Sequence, residues 1–169
     1  MNGELLLQEA QGHEQELVEK RHYLHRHAEL GFDLKETVAF VKAELTAMGY
    51  EPKDCGKAGV VVTAGGKKPG KVFLIRGDMD ALPMHEESGV DFASETENMH
   101  ACGHDAHTAI LLSVAKYLKS IEPELSCRVR FVFQPSEEGA VSGAKMMVSN
   151  GVMNGVSHIL CTHCENSLP

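Results

Sequence analysis

Val-Phe-Leu-Ile-Arg-Gly-Asp-Met-Asp, residues 72–80, begins as an apolar run and ends in two carboxylates. Four consecutive apolar residues favour a strand that is buried on both faces of a sheet. Two later runs repeat this pattern, because a glutamate pair follows residues 129–133 and a histidine follows residues 158–160. Ligand sites of open α/β sheets lie beyond the carboxyl ends of the strands, so we expect these polar groups to converge on one crevice.

The segments between these runs indicate the fold class. Apolar periodicity predicts a helix that starts near Thr108 and another over residues 143–153. Strands that alternate with helices are typical of an α/β fold. We therefore expect a mixed, mostly parallel sheet that is flanked by helices.

The N-terminal part is predicted to be scaffold. Helices are expected over residues 9–29 and 34–48, and residues 60–62 form a short strand. The simplest connection pairs this strand with residues 72–75 as a hairpin. His25 lies on the first of these helices, far from the sheet ends, and is expected to be a surface or packing residue.

Composition restricts the class of protein. With 169 residues, 43% of them hydrophobic and 24% charged, the chain is long enough for one globular domain. A net charge of -8 argues against nucleic-acid and anionic-membrane partners, since both need clustered cations. There is no basic leader and no run of membrane-spanning length. Five irregularly spaced cysteines favour a reducing compartment, so we expect a cytoplasmic protein.

Met-His-Ala-Cys-Gly-His-Asp-Ala-His, residues 99–107, concentrates metal-binding groups before a predicted helix. Burying such groups without partners is costly, and a divalent metal is their commonest partner. Cys102 and His104 are too close in sequence to share one helix face, so at least one of them should precede the helix. The helix start would also favour a Cys102 thiolate. His100 and His107 either bind metal or hydrogen-bond to residues that do.

Two pairs of acids complete the predicted site. Glu137 and Glu138 point in different directions from one backbone, so one can bind metal while the other stands beside a metal-bound water. A solvated turn is the alternative for such a pair. Asp78 and Asp80 follow a buried strand, and at least one of them should hold a ligand in place as a hydrogen-bond acceptor. We count Asp80 with Glu137 among the catalytic residues.

The segment Cys161-Thr-His-Cys164 allows three interpretations. A zinc ribbon needs a second such pair, which the chain lacks. A redox pair would normally open a helix after its strand. The remaining interpretation makes His163 a metal ligand and the two cysteines small packing residues.

Three motifs in this order resemble one enzyme family. They are Arg-Gly-Asp-Met-Asp-Ala-Leu-Pro-Met (76–84), His-Ala-Cys-Gly-His-Asp-Ala-His-Thr (100–108) and Phe-Gln-Pro-Ser-Glu-Glu-Gly (133–139). The chain resembles the metal-dependent amidohydrolases of the aminoacylase/carboxypeptidase superfamily, which have a zinc-exopeptidase-like catalytic domain. The nearest branch is the N-acyl-amino-acid amidohydrolases, which include hippurate hydrolases and plant auxin-conjugate hydrolases.

This resemblance implies a site and a reaction. Cys102, His104, Glu138 and His163 would bind two divalent ions such as zinc, manganese, cobalt or nickel, with Cys102 bridging them. Glu137 would act as the general base in the hydrolysis of an N-acyl amino acid to a carboxylic acid and an amino acid.

The resemblance also suggests how the chain is organised. Residues 1–169 would be the N-terminal portion of the catalytic domain. A lid or dimerisation domain and a returning segment that supplies one more metal-binding His would be absent. An open sheet edge would be expected to promote self-association.

Two other functions remain open at this point. The chain could be a catalytically incompetent metal-binding fragment or an interaction module. It could also be a thiol redox protein that acts through Cys161 and Cys164.

Overall fold

The structure is a computed structural model that describes residues 3–66 and 70–164. The helices are α1 (Gly3–Gly12), α2 (Glu14–Arg26), α3 (Lys35–Ala47), α4 (His104–Ser120) and α5 (Gly143–Ser149), with a short 3-10 helix at Glu122–Glu124. The strands are β1 (Lys53–Asp54), β2 (Val60–Ala64), β3 (Val72–Asp78), β4 (Arg128–Gln134) and β5 (Val156–Cys161). The helix expected over residues 9–29 is therefore two helices, which meet at His13 next to the helix-disfavouring Gly12.

These strands form one five-stranded sheet in the order β1-β2-β4-β3-β5. Strands β4, β3 and β5 are parallel, whereas β2 pairs antiparallel with β4 and β1 pairs antiparallel with β2. The predicted mixed α/β sheet is confirmed. The expected hairpin is wrong, because β4 lies between β2 and β3 and pairs with both.

Strand β4 takes this central place because side chains on both of its faces are buried. Phe131 and Phe133 pack on one side with the helices α3 and α4, in a cluster that includes Leu45 and Leu112. Val132 points to the other side and packs in a second cluster, to which α5 contributes. A strand that is covered on both faces gains most from two neighbours that satisfy its backbone on both edges.

The parallel group places the functional side chains. Asp78 ends β3, Gln134 ends β4 and Cys161 ends β5, and β3 lies between the other two strands. Because the three strands run in the same direction, the segments that follow them leave the sheet at one edge. No helix among the described residues combines the length and apolarity needed to cross a membrane.

A buried polar cluster joins α2 to the start of α4. His25 Nδ1 lies 2.8 Å from Asp105 Oδ2, and His25 Nε2 lies 3.1 Å from Glu86 Oε2. Arg21 Nε donates a second hydrogen bond to Asp105 Oδ2 at 3.1 Å. The interpretation of His25 as a residue remote from the sheet ends is therefore wrong, since Asp105 is the second residue of α4.

This cluster predicts a pH-dependent stability. The hydrogen bond to Asp105 raises the pKa of His25 above its usual value of about 6.5. Charged His25 therefore stabilises the fold below that pH, and this contribution is lost as the pH rises through the raised pKa. His25→Gln should cost about 1.5–3 kcal/mol of unfolding free energy at pH 6. The difference between the variant and the wild type should shrink at pH 9, as measured by urea unfolding.

The control is His85→Gln, because the His85 side chain is 70% exposed. It should unfold like the wild type at both pH values. An equal loss in His25→Gln at pH 6 and pH 9 would contradict a charged His25.

Candidate metal centre

The centre lies where the α4 N-terminus meets the carboxyl ends of the parallel strands. Cys102 is in the turn that precedes α4, and His104 is the first residue of the helix. Gly103 between them has a φ of 80°, and a Cβ at this position would lie 3.2 Å from Cys164 Cβ. A glycine thus allows both the left-handed turn and the close approach of the segment after β5. As the spacing predicts, the two residues are divided between turn and helix.

His104 directs a free ring nitrogen into the centre. Its side chain is fully buried, and Nδ1 donates a hydrogen bond of 2.7 Å to the backbone carbonyl of Asp80. That bond fixes the proton on Nδ1 and leaves a lone pair on Nε2, which has no hydrogen-bond partner among the described residues. Carboxylate oxygens of Asp78, Glu138 and Glu137 lie 3.6, 3.8 and 3.9 Å from Nε2. A buried nitrogen faced by acids in this way is suited to a cation.

His163 is arranged in the same way. Its Nδ1 donates to the backbone carbonyl of Cys164 at 2.5 Å, and its Nε2 lies 3.4 Å from Cys102 Sγ. Metal-binding histidines commonly donate one ring N–H to a carbonyl and offer the other nitrogen to the metal. Three groups that share His104 have ligand atoms within 4.8 Å of one another, and two of them are Cys102 with His104 and His163, and His104 with Glu137 and Glu138. The structure therefore brings together all four residues expected to be ligands and the expected base.

The electrostatics of the centre also favour a cation. Burial raises the pKa of the Cys102 thiol to about 12, and Glu138, Asp78 and Glu137 add to this effect. The expectation that the helix start would favour the thiolate is wrong for the residues without a metal, because burial and then the surrounding carboxylates raise the pKa of the thiol. A positive charge among these groups would reverse the balance.

Asp80 fixes the turn that carries both glutamates. It is 1% exposed, and its two carboxylate oxygens accept hydrogen bonds from the backbone N–H groups of Glu137 at 2.9 Å and Glu138 at 3.1 Å. Ser136, just before this pair, has a φ of 49°, which is unusual for a non-glycine residue. With both oxygens accepting from the backbone, Asp80 can hold the two glutamates in position. These contacts support a positioning role, and its expected place among the catalytic residues stays a prediction.

The other histidines and cysteines lie around this centre. His100 is 5% exposed, and neither of its ring nitrogens has a hydrogen-bond partner among the described residues. The nitrogens of His107 are engaged by Asp78 and by the backbone of Cys164. All five cysteines are free, and residues 162–164 after Cys161 have no helical structure. The start of a helix that a redox pair would occupy is therefore not seen in this part of the chain.

Sequence reasoning missed the cluster of Arg21, His25 and Asp105 that supports the start of α4. The pairing joins residues 84 and 80 positions apart in sequence. Local sequence patterns carry no signal for contacts at this separation.

A family comparison accounts for this arrangement. Residues 74–169 match the model of the peptidase family M20/M25/M40. The chain belongs to this family. The matched region includes most of β3 and all of α4, β4 and β5, which are the elements that place the centre.

Relatives of this M20-family chain are amidohydrolases and deacetylases by name. The N-acyl-L-amino acid amidohydrolase of Geobacillus stearothermophilus is 42% identical over 155 residues, which are 90% of this chain and 42% of that protein. The N-acetylcysteine deacetylase of Bacillus subtilis is 42% identical over 156 residues, covering 90% and 41% of the two chains. The M20-family chain therefore spans about two fifths of the length of these relatives.

A solved structure gives the same assignment. The Bacillus subtilis YXEP protein, described as a dinuclear metal-binding peptidase from the M20 family, superposes with a TM-score of 0.88 at 40% identity. The superposition covers 94% of this chain and 45% of that one. It confirms the fold class and the expected family.

Proposed function

We propose that this chain supplies the metal centre of an amidohydrolase that cleaves N-acyl amino acids to a carboxylic acid and an amino acid. The observation that carries the proposal is the buried Nε2 of His104, which lacks a hydrogen-bond partner among the described residues and faces three carboxylates. Cys102, His104, Glu138 and His163 would hold two divalent ions. When bound, such ions supply a lowered pKa for water and polarise an amide carbonyl.

The two glutamates can be assigned different roles. Glu138 interacts with the Cys102 thiol and its side chain is 26% exposed, whereas the Glu137 side chain is 40% exposed. The more enclosed Glu138, which reaches both Cys102 and His104, fits the ligand role. The more exposed Glu137 fits the base, which must exchange protons with water and substrate.

As the general base, Glu137 would transfer one proton in the course of the hydrolysis. Its carboxylate takes a proton from the attacking water as the new C–O bond forms. The same proton then passes from Glu137 to the amide nitrogen as the C–N bond breaks, so the amine leaves neutral and the carboxylate is regenerated.

The substrate class and the identity of the metal are proposed from the named relatives and from the donor atoms. The named relatives favour N-acyl amino acids, with N-acetylcysteine as one example, as the substrate class. Zinc, manganese, cobalt and nickel all suit a donor set of thiolate, imidazole and carboxylate. The cytoplasmic location, the self-association and the organisation of residues 1–169 as the N-terminal portion of a catalytic domain stay predictions.

Metal content tests this proposal directly. Native mass spectrometry of the chain, purified without chelator, should find two divalent ions per chain. Cys102→Ser should lose at least one ion, because a thiolate donor is removed. Cys161→Ser is the matched control, since Cys161 is exposed at the end of β5, and it should keep both ions.

The number of bound ions, together with a hydrolysis assay, distinguishes an amidohydrolase from a metal-binding module that is not an enzyme. One ion or none in the wild-type chain would overturn a two-ion centre that is built from these four ligands. Two ions without hydrolysis of N-acetyl amino acids by the full-length protein would support a metal-binding module that is not an enzyme.

A further inference from the structure

His107 lies beside the proposed centre and yet cannot be one of its ligands. It is 5% exposed and sits three residues after His104 on α4. Its Nδ1 is 2.6 Å from Asp78 Oδ1, and its Nε2 accepts a hydrogen bond of 2.8 Å from the backbone N–H of Cys164. Because Nε2 accepts, the ring proton of the neutral imidazole is on Nδ1, which donates to Asp78. Both ring nitrogens are therefore engaged, although His107 lies close enough to Asp78 and His104 to form a ligand group with them.

The segment that His107 contacts carries a proposed ligand. His163 and Cys164 lie beyond the last paired residue of β5, since Cys161 pairs with Arg76 at the end of the ladder. The hydrogen bond from the backbone N–H of Cys164 to His107 Nε2 ties this segment to α4. The His107 ring also packs against the His163 ring, with centroids 4.8 Å apart at 66°.

The side-chain packing of β5 does little to hold the segment that follows it, so the hydrogen bond between Cys164 and His107 matters. Five of the six residues of β5 are exposed, so the strand is weakly held by its side chains. Asp78, in contrast, is fully buried, accepts from His107, and is paired with Arg76 Nη1 at 2.6 Å. Buried Asp78 at the end of β3 thus fixes the imidazole that binds the backbone of the ligand segment.

We propose that His107 is a positioning residue, which is oriented by Asp78 and places His163 beside Cys102 by binding the backbone N–H of Cys164. This inference rests on the proposed function, because it assigns His163 to the metal centre. It adds a specific chemical requirement, namely an acceptor atom at the position of His107 Nε2.

Two amide substitutions separate the two bonds of His107. The side-chain amide of Gln reaches the position of Nε2, so His107→Gln can still accept from Cys164. The amide of Asn reaches the position of Nδ1, so His107→Asn can still donate to Asp78 but offers nothing to Cys164. Each variant keeps one of the two bonds, which makes them matched controls for each other in fold stability.

The first measurement uses cobalt(II) as the probe, with the thiolate-to-cobalt absorption as the readout. His107→Asn should weaken cobalt binding by about 10–100-fold, the usual effect of losing a group that orients a ligand. Its spectrum should match that of His163→Ala, the variant that lacks the ligand itself. His107→Gln should bind within about threefold of the wild type, because it restores the acceptor. Equal loss in both variants, or none in His107→Asn, would overturn the proposal.

The second measurement needs no metal. Hydrogen exchange of the metal-free chain should show the Cys164 amide protected in the wild type and in His107→Gln. Exchange should be faster by about tenfold or more in His107→Asn, since a hydrogen bond of this kind contributes about 1–1.5 kcal/mol. If the wild type does not bind cobalt but shows this exchange pattern, the metal centre is refuted while the hydrogen bond between His107 and Cys164 is supported. Identical Cys164 exchange in all three proteins would refute the contact itself.

Discussion

Replacing Glu137 with Gln should lower kcat on N-acetyl amino acids by about 10²–10⁴-fold, because the amide cannot accept a proton from water. Metal content should stay unchanged, since Gln keeps the size and the backbone hydrogen bond to Asp80. Steady-state kinetics of the full-length protein, with metal analysis of the same sample, measure both quantities.

Glu138→Gln is the matched comparison for this variant. The two side chains are adjacent and lie 3.8 and 3.9 Å from His104 Nε2, so distance alone does not separate their roles. If Glu138 is the ligand, Glu138→Gln should lose metal together with activity. Metal loss in Glu137→Gln with metal retained in Glu138→Gln would reverse the assignment. Full activity in Glu137→Gln would exclude it as the base.

The pattern of apolar runs predicted the α/β class because burial on both faces leaves a local signature. Residues 72–75 are a continuous apolar run, residues 129–133 are apolar except for Arg130, and both segments are strands of the central sheet. Their partners could not be predicted from the same signal. Strand order depends on which long-range pairing buries the most surface, and β4 lies between β2 and β3 although it follows both in sequence.

For the candidate site, the sequence predicted the residues but not the contacts that orient them. Metal-binding residue types are recognisable in sequence; their place before a helix led to Cys102 and His104, and their place after a strand led to the glutamate pair and His163. The contacts that orient them are between residues far apart in the chain, such as Asp80 with Glu137 and Cys164 with His107, both 57 positions apart. Nothing in local sequence distinguishes an aspartate that binds two backbone N–H groups from one that binds a metal.

Asp80→Asn should lower both the stability of the fold and the affinity for metal. The carboxylate accepts from two backbone N–H groups while almost fully buried. An amide can accept at one position only, and its NH₂ group would then oppose the other backbone N–H. Hydrogen bonds to charged groups contribute about 1.5–3 kcal/mol each, so we expect a loss of about 2–4 kcal/mol of unfolding free energy.

The same change should reduce metal affinity by about 10–100-fold, because the turn that carries Glu138 would lose its fixed position. Urea unfolding of the metal-free chain and metal titration of the folded variant measure the two effects separately. Asp33→Asn is the control, since the Asp33 side chain is 78% exposed and its ion pair with Lys35 is at the surface. If Asp80→Asn unfolds like this control and binds metal normally, Asp80 does not hold the glutamate turn. A loss of stability with unchanged metal affinity would restrict Asp80 to the fold and leave the placement of Glu138 to its other neighbours.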